Sequence, residues 1–223
     1  MQDKKNVLRY YTKIFHLPQT FNFRVQYISM YYVVALGNPG TEYATTRHNV
    51  GWLVIDIFLR TAHFSSVVSL SKYVGRVSEG EVDGKTVTVL YPDTFMNKSG
   101  SAAVKLVPKT EVHQLIAVYD DVDLALGEVK VSFGRGDGGH NGIKSLIDSL
   151  GTKDFVRVRV GISPVSLFTG KTKRPVGERL QRYVMGNFTK RELMKVEEVG
   201  KRVSEVIEAI VKDGYAVAMN RFN

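Results

Sequence analysis

The chain has 223 residues, 43% of them hydrophobic and 24% charged, which suits one globular domain with a sizeable core. Lys and Arg outnumber Asp and Glu by 31 to 22, a formal net charge of +9, and such a surplus points to an anionic partner, either nucleic acid or an anionic membrane, or else to a basic surface that binds nothing acidic. The absence of cysteine excludes disulfides, zinc thiolates and a thiol nucleophile, and no apolar run approaches the roughly 18 to 20 residues that span a bilayer.

The first 29 residues hold Lys4, Lys5, Arg9, Lys13 and Arg24 against one acid, Asp3, with aromatics interspersed. Such a segment is either an organelle transit peptide or a basic extension ahead of a domain that starts at Met30, and it places the protein in the mitochondrial matrix or the cytoplasm. Residues 31–36 (YYVVAL) form a buried strand, ended by the turn residues Gly37-Asn38-Pro39-Gly40. Residues 49–61 are apolar at helical spacing, with Trp52, Ile55 and Leu59 on one face. Two strand-like runs, 72–82 and 85–91, flank Asp83-Gly84, a type I′ hairpin signal. A short helix over 99–107 opens on Ser99 as its cap. Residues 115–119 (LIAVY) form a second buried strand, after which Asp120, Asp121 and Asp123 stand in a loop. Residues 128–133 and 155–162 alternate as strands, and 141–150 form a helix stopped by Gly151. Residues 163–182 are polar, basic and broken by prolines, so they form a loop. Thr189 and Glu192 make a capping box for a last amphipathic helix that buries Leu193, Val196, Val203, Ile207 and Ile210 and ends at Gly214. Strands alternate with helices without an internal repeat, so the fold class is α/β: a single domain, residues 30–223, with a mixed central sheet flanked by helices.

Chemistry-bearing residues gather in four places: residues 37–43 with 46–49, residues 94–97, residues 119–123 and residues 138–142. His48 stands in a loop before the first helix, and its ordinary pKa suits a general base. Asp120 ends another strand, where its carboxylate can hold one ring nitrogen and leave the other basic. With no cysteine and no serine in a nucleophile motif, water is the nucleophile; the alternative makes His48 a helix-cap histidine. Asn38, Asn97 and Asn141 sit at strand-end loops or helix starts. Each can be a cap or turn residue, or can bind a ribose hydroxyl or polarise a carbonyl. Residues 134–139 also fit G-x-G-x-x-G, but no acidic residue follows about twenty positions on, as dinucleotide binding requires. Lys130, Arg135, Lys144, Lys153, Arg157 and Arg159 cluster around that turn and Lys171, Lys173 and Arg174 follow in the late loop. Arg157 and Arg159 share a strand face, which is either solvated or tracks a phosphate backbone.

Together these stretches, with residues 183–188 (YVMGNF), resemble the bacterial-type peptidyl-tRNA hydrolases from about Tyr31 to the final helix. The resemblance implies a three-layer α/β fold and a monomer that cleaves the ester between an N-blocked aminoacyl or peptidyl group and transfer RNA, with no metal or cofactor and no membrane partner. By resemblance His48 is the base, Asp120 its orienting acid, and Asn38 a third catalytic residue. Asn97 and Asn141, with Phe95, hold the peptide and the 3′ end, Tyr43 binds the terminal ribose or phosphate region, and Lys130 and Arg157 clamp a transfer-RNA phosphate. Departures occur at Tyr119, where the family commonly has His, at Ser132, where a second basic residue is frequent, at Asp137, and at Ser163-Pro164. Two rivals stand beside this reading: a non-catalytic RNA-binding relative of the same fold, and a nucleotide-binding oxidoreductase resting on the glycine turn alone.

Overall fold

The structure is a computed structural model, and it describes residues 30–165, 172 and 174–223. The basic segment 1–29 and the lysines Lys171 and Lys173 lie outside the described residues. Seven strands form one mixed sheet in the order β2-β3-β4-β1-β5-β7-β6: β1 Tyr31–Ala35, β2 Val68–Leu70, β3 Gly75–Val82, β4 Lys85–Pro92, β5 Leu115–Ala125, β6 Val129–Phe133 and β7 Val156–Ser163. The central strands β4, β1, β5 and β7 run parallel, and β3, β2 and β6 extend the two sides antiparallel.

Helices cover both faces, which is why β1 and the start of β5 are continuous apolar runs rather than alternating ones. Helices α1 Val50–Thr61, α5 Lys190–Asp213 and α6 Tyr215–Phe222 enclose one core with Val33, Ala35, Ile116 and Val118. Helices α2 Ser99–Leu106 and α3 Asn141–Leu150 enclose the other with Val34, Leu36, Ala117 and Phe155. A short helix α4, Glu178–Val184, precedes α5. Among the described residues no helix is long and apolar enough to cross a membrane.

Several expectations hold in detail. Asp83 and Gly84 both have positive φ, 50° and 71°, as a type I′ hairpin demands. The capping box at Thr189 and Glu192 is formed in both directions. Gly151 ends α3 at φ 74°.

Others are corrected. Ser99 is the first residue of α2 rather than its cap; Lys98 occupies the cap position and the Ser99 hydroxyl donates to the Met96 carbonyl. Strand β5 does not stop at Tyr119 but runs to Ala125, with its pairing to β7 shifting between Asp121 and Ala125. Asp120 therefore sits inside the sheet, on the α1 side by alternation with Ile116 and Val118. The expected loop over 163–182 gives way to α4 from Glu178. The short edge strand β2 and the terminal α6 had no period long enough to announce them.

Two close approaches position the site. Gly51, in the first turn of α1, lies where a Cβ would come within 2.6 Å of the carbonyl oxygens of Leu36 and Val118. Only glycine lets α1 begin this close to the end of β1 and the middle of β5, which sets His48 beside Asp120. The 3₁₀ turn Arg47–Asn49 that delivers His48 leads directly into α1.

Candidate active site

At the carboxyl ends of the parallel strands, where open α/β sheets place ligands, a cleft of about 620 Å³ is lined by Asn38, His48, Phe95, Asn97, Asp120, His140 and Asn141, and by Tyr119, Ser132, Arg135, Arg157 and Arg159 from β5, β6, β7 and the turn after β6. That volume suits a small-molecule or chain-end substrate.

Asp120 is buried at 3% exposure, and its Oδ1 is shared by two histidines. His48 Nδ1 lies 2.8 Å away and His140 Nε2 lies 2.9 Å away. The tautomers follow from the surroundings. The backbone N–H groups of Gly142 and Ile143 donate to His140 Nδ1, so the His140 proton is on Nε2 and is donated to Asp120. His48 likewise donates Nδ1–H to the carboxylate. Its Nε2 has no partner among the described residues and is the lone pair available in the cleft.

The electrostatics agree. Burial opposes ionisation of Asp120, but the two imidazoles and their hydrogen bonds outweigh it and hold the carboxyl well below the usual range. Burial likewise lowers the His48 pKa, and the Asp120 charge and hydrogen bond more than offset it, so the net shift is upward. His48, Asp120 and His140 lie close enough together to suggest a metal site. The hydrogen bonds argue otherwise. With two N–H donors on Nδ1, His140 can offer Nε2 to a metal only as imidazolate, and the Asp120 oxygen between the rings already accepts two protons.

Asn38 is 5% exposed and tightly set. Its Oδ1 accepts from the Met96 backbone N–H at 2.8 Å. Its own N–H donates to Asn49 Oδ1 at 2.9 Å, and Asn49 Nδ2 donates back to the Asn38 carbonyl at 3.0 Å. With Oδ1 committed, the amide nitrogen of Asn38 is the atom offered to the cleft.

Asn97 and Asn141 are exposed residues that line the same cleft, as expected. Tyr43 does not line it; the ring packs edge-on against exposed Phe95, 6.3 Å between centroids, at the rim. Lys130 is also absent from the lining and pairs in register with Arg159 across β6 and β7.

Arg157 departs most from expectation. It does not stand on a half-exposed face: it is 1% exposed, donates Nη1 to the Gly136 carbonyl, and leaves Nε and Nη2 without a partner among the described residues. Its register neighbour Ser132 also has an unpartnered buried hydroxyl. Arg159 is committed to Asp121 at 2.7 Å.

Sequence reasoning gave His140 no role. The available signal was its place just before a helix start, the same place His48 occupies. Asn49, 0% exposed, was likewise passed over although it holds Asn38.

Comparison with known proteins agrees with this geometry. Residues 32–223 match the family described as peptidyl-tRNA hydrolase. The peptidyl-tRNA hydrolase of Syntrophotalea carbinolica is 37% identical over 194 residues, 86% of this chain and 95% of that protein. The one from Thermodesulfovibrio yellowstonii is 38% identical over 198 residues, covering 87% and 99%. Among solved structures, peptidyl-tRNA hydrolase from Acinetobacter baumannii superposes with a TM-score of 0.73 at 27% identity, covering 87% of this chain and 94% of that one. The match spans nearly all the described strands and helices, including all four clusters around the cleft, and the chain belongs to the peptidyl-tRNA hydrolase family.

Proposed function

We propose that this chain releases peptides from peptidyl-tRNA by His48-activated water. The observation that carries the reading is the bond from His48 Nδ1 to Asp120 at 2.8 Å, which leaves Nε2 as a base in the cleft. Water gives a proton to His48 Nε2 as its oxygen bonds to the ester carbonyl carbon. The carbonyl oxygen takes up negative charge, and the amide nitrogen of Asn38 stands ready to donate to it. Collapse breaks the bond to the ribose oxygen, and the imidazolium returns its proton to that leaving oxygen. Asp120 stabilises the imidazolium between the two transfers, and His140 fixes Asp120 so that it cannot rotate away.

Phe95, Asn97 and Asn141 hold the peptide and the 3′ end in this reading, with Tyr43 supporting Phe95 from the rim. The transfer-RNA backbone lies over the basic side of the cleft. Arg157, with two buried donors uncommitted, is the group best suited to a phosphate that reaches into it, and Lys130 adds charge along the neighbouring strand.

The test is release of peptide from N-acetyl-aminoacyl-tRNA by the purified chain, compared with His48→Ala. Loss of the base lowers kcat by roughly 10²–10⁴-fold and leaves transfer-RNA binding in place. Turnover by the variant at the native rate would overturn the mechanism. No turnover by the native chain, with RNA binding retained, would favour a non-catalytic RNA-binding relative.

A further inference from the structure

Arg47, next to the base, takes no part in the Asp120 network. Its guanidinium is instead built into the segment between α4 and α5. Nη2 donates to both carboxylate oxygens of Glu192 at 3.1 Å each, and Nη1 donates to the Gly186 carbonyl at 3.2 Å. The plane lies over the Tyr183 ring at 4.5 Å and near Phe188 at 5.4 Å. The Arg47 side chain is 12% exposed and that of Glu192 23%, so these charge-assisted bonds, both made by one guanidinium nitrogen, are partly shielded from water and stronger than at a fully exposed site.

The backbone repeats the connection. Arg47 N–H donates to Gly186 O at 3.0 Å, Phe188 N–H donates to Thr45 O at 2.9 Å, and Thr46 bridges to Asn187. The far side is itself anchored: Glu192 closes the α5 capping box with Thr189, and the Tyr183 hydroxyl donates to Ile162 O at the end of β7.

His48 therefore stands between two pinned neighbours. Asn49 ties one side of the turn to Asn38, and Arg47 ties the other to Tyr183, Gly186 and Glu192. A three-residue turn held at both flanks leaves the central residue little backbone freedom, and its ring is presented to Asp120 in one orientation. Removing either charge of this partly buried pair leaves the other without its partner, and the loosened turn lets the His48–Asp120 distance lengthen.

We infer that Arg47 is a positioning residue for His48, acting through its ion pair with Glu192. The inference rests on the assignment of His48 as base, and its test separates the two. Arg47→Gln, Glu192→Gln and the double variant are compared with the native chain by NMR titration of the His48 ring and by kcat and KM for peptide release. Glu192→Gln keeps the hydrogen-bonding shape of the capping box and removes only the charge, so it decides the matter alone where Arg47→Gln does not fold, as checked by circular dichroism.

Loosening the turn brings the His48 pKa down toward its ordinary value, because the Asp120 charge and bond are what raise it. It also lowers kcat by roughly 10- to 10²-fold, the scale of an ångström-level misplacement, with KM little changed. The double variant loses no more than the more impaired single variant, since one interaction is being removed, and Arg47→Lys restores part of kcat. A native His48 titration in a folded Glu192→Gln protein overturns the inference, as does a loss confined to KM or losses that add in the double variant. If the native chain releases no peptide the hydrolase reading fails, and the His48 titration still decides the role of Arg47.

Discussion

Around Asp120, on the His48 side of the cleft, most polar atoms are partnered, although His48 Nε2 is open to the cleft and Arg47 Nε is buried without a partner among the described residues. Asp120 accepts hydrogen bonds from two imidazoles on one oxygen, His140 accepts from two backbone N–H groups, and Asn38 and Asn49 exchange hydrogen bonds. On the Arg157 side they are not: Arg157 Nε and Nη2 and the Ser132 hydroxyl are buried without partners among the described residues. Asp120 and Arg157 are both almost wholly buried, so the contrast between them is not one of exposure. The first side is organised before substrate arrives, which suits a reaction whose charge development must be met by fixed groups. The second stores the cost of unmade hydrogen bonds, about 1–3 kcal/mol for each such group, which a phosphate oxygen would relieve under the function proposed above.

The largest expected effect that sharpens this contrast is at Asp120. Asp120→Asn removes the charge that orients two rings and lowers kcat by roughly 10²–10⁴-fold. The pH dependence carries a sign. His48 acts neutral, and its pKa is raised above the ordinary 6.5, so kcat/KM in the native chain climbs with pH along a limb centred above that value. In Asp120→Asn only burial remains to act on His48, and the residual activity has its acid limb shifted to lower pH. A limb that stays in place, measured from pH 5 to 9, would break the assignment of Asp120 as the source of the shift.

Next is Asn38→Asp, which keeps an acceptor for the Met96 N–H and replaces the donor with an oxygen. Loss of one donor to the developing oxyanion costs about 10²–10³-fold in kcat, with KM nearly unchanged. A change in KM alone would place Asn38 in ground-state binding instead.

The smallest effect separates the two sides most sharply. Arg157→Met fills similar space and removes the unpartnered donors. It raises KM for peptidyl-tRNA, by an amount that shrinks with added salt because a phosphate contact is lost, and leaves kcat near native. The same substitution stabilises the free protein by about 1 kcal/mol in denaturant titration, since a buried group with unmade bonds is gone. A destabilised protein with native KM would show that Arg157 is structural.

The order of strands and helices was legible because periodicity, turn chemistry and capping are local. Residues 31–36 read as a buried strand and Asp83-Gly84 as a hairpin turn, and both are so. The element ends were less legible: β5 continues past Tyr119 because β7 stays in register with it through Asp121, which no residue within β5 announces. The site was half legible. His48, Asp120 and the three loop asparagines stood out by residue type and place, and all of them line the cleft. Lys130 and Tyr43 lie off it, and Arg157 turned inward. A strand alternating Val and Arg does not say which side the neighbouring turn will cover, and here Gly136 roofs the arginine.

What the sequence by itself determined about this protein is its class, its chain order of elements and the residue types available at the strand ends. The tertiary structure decided which of them meet. His48 reaches Asp120 across 72 residues, His140 reaches it across 20, and Arg47 reaches Glu192 across 145. Such pairings depend on where two helix starts and a bent strand come together on one sheet, and they are set by close approaches such as that of Gly51 to Leu36 and Val118. Hydrogen bonds act over about 3 Å, so the role of His140, whose place before a helix start does not name its partner, exists only once the chain has folded.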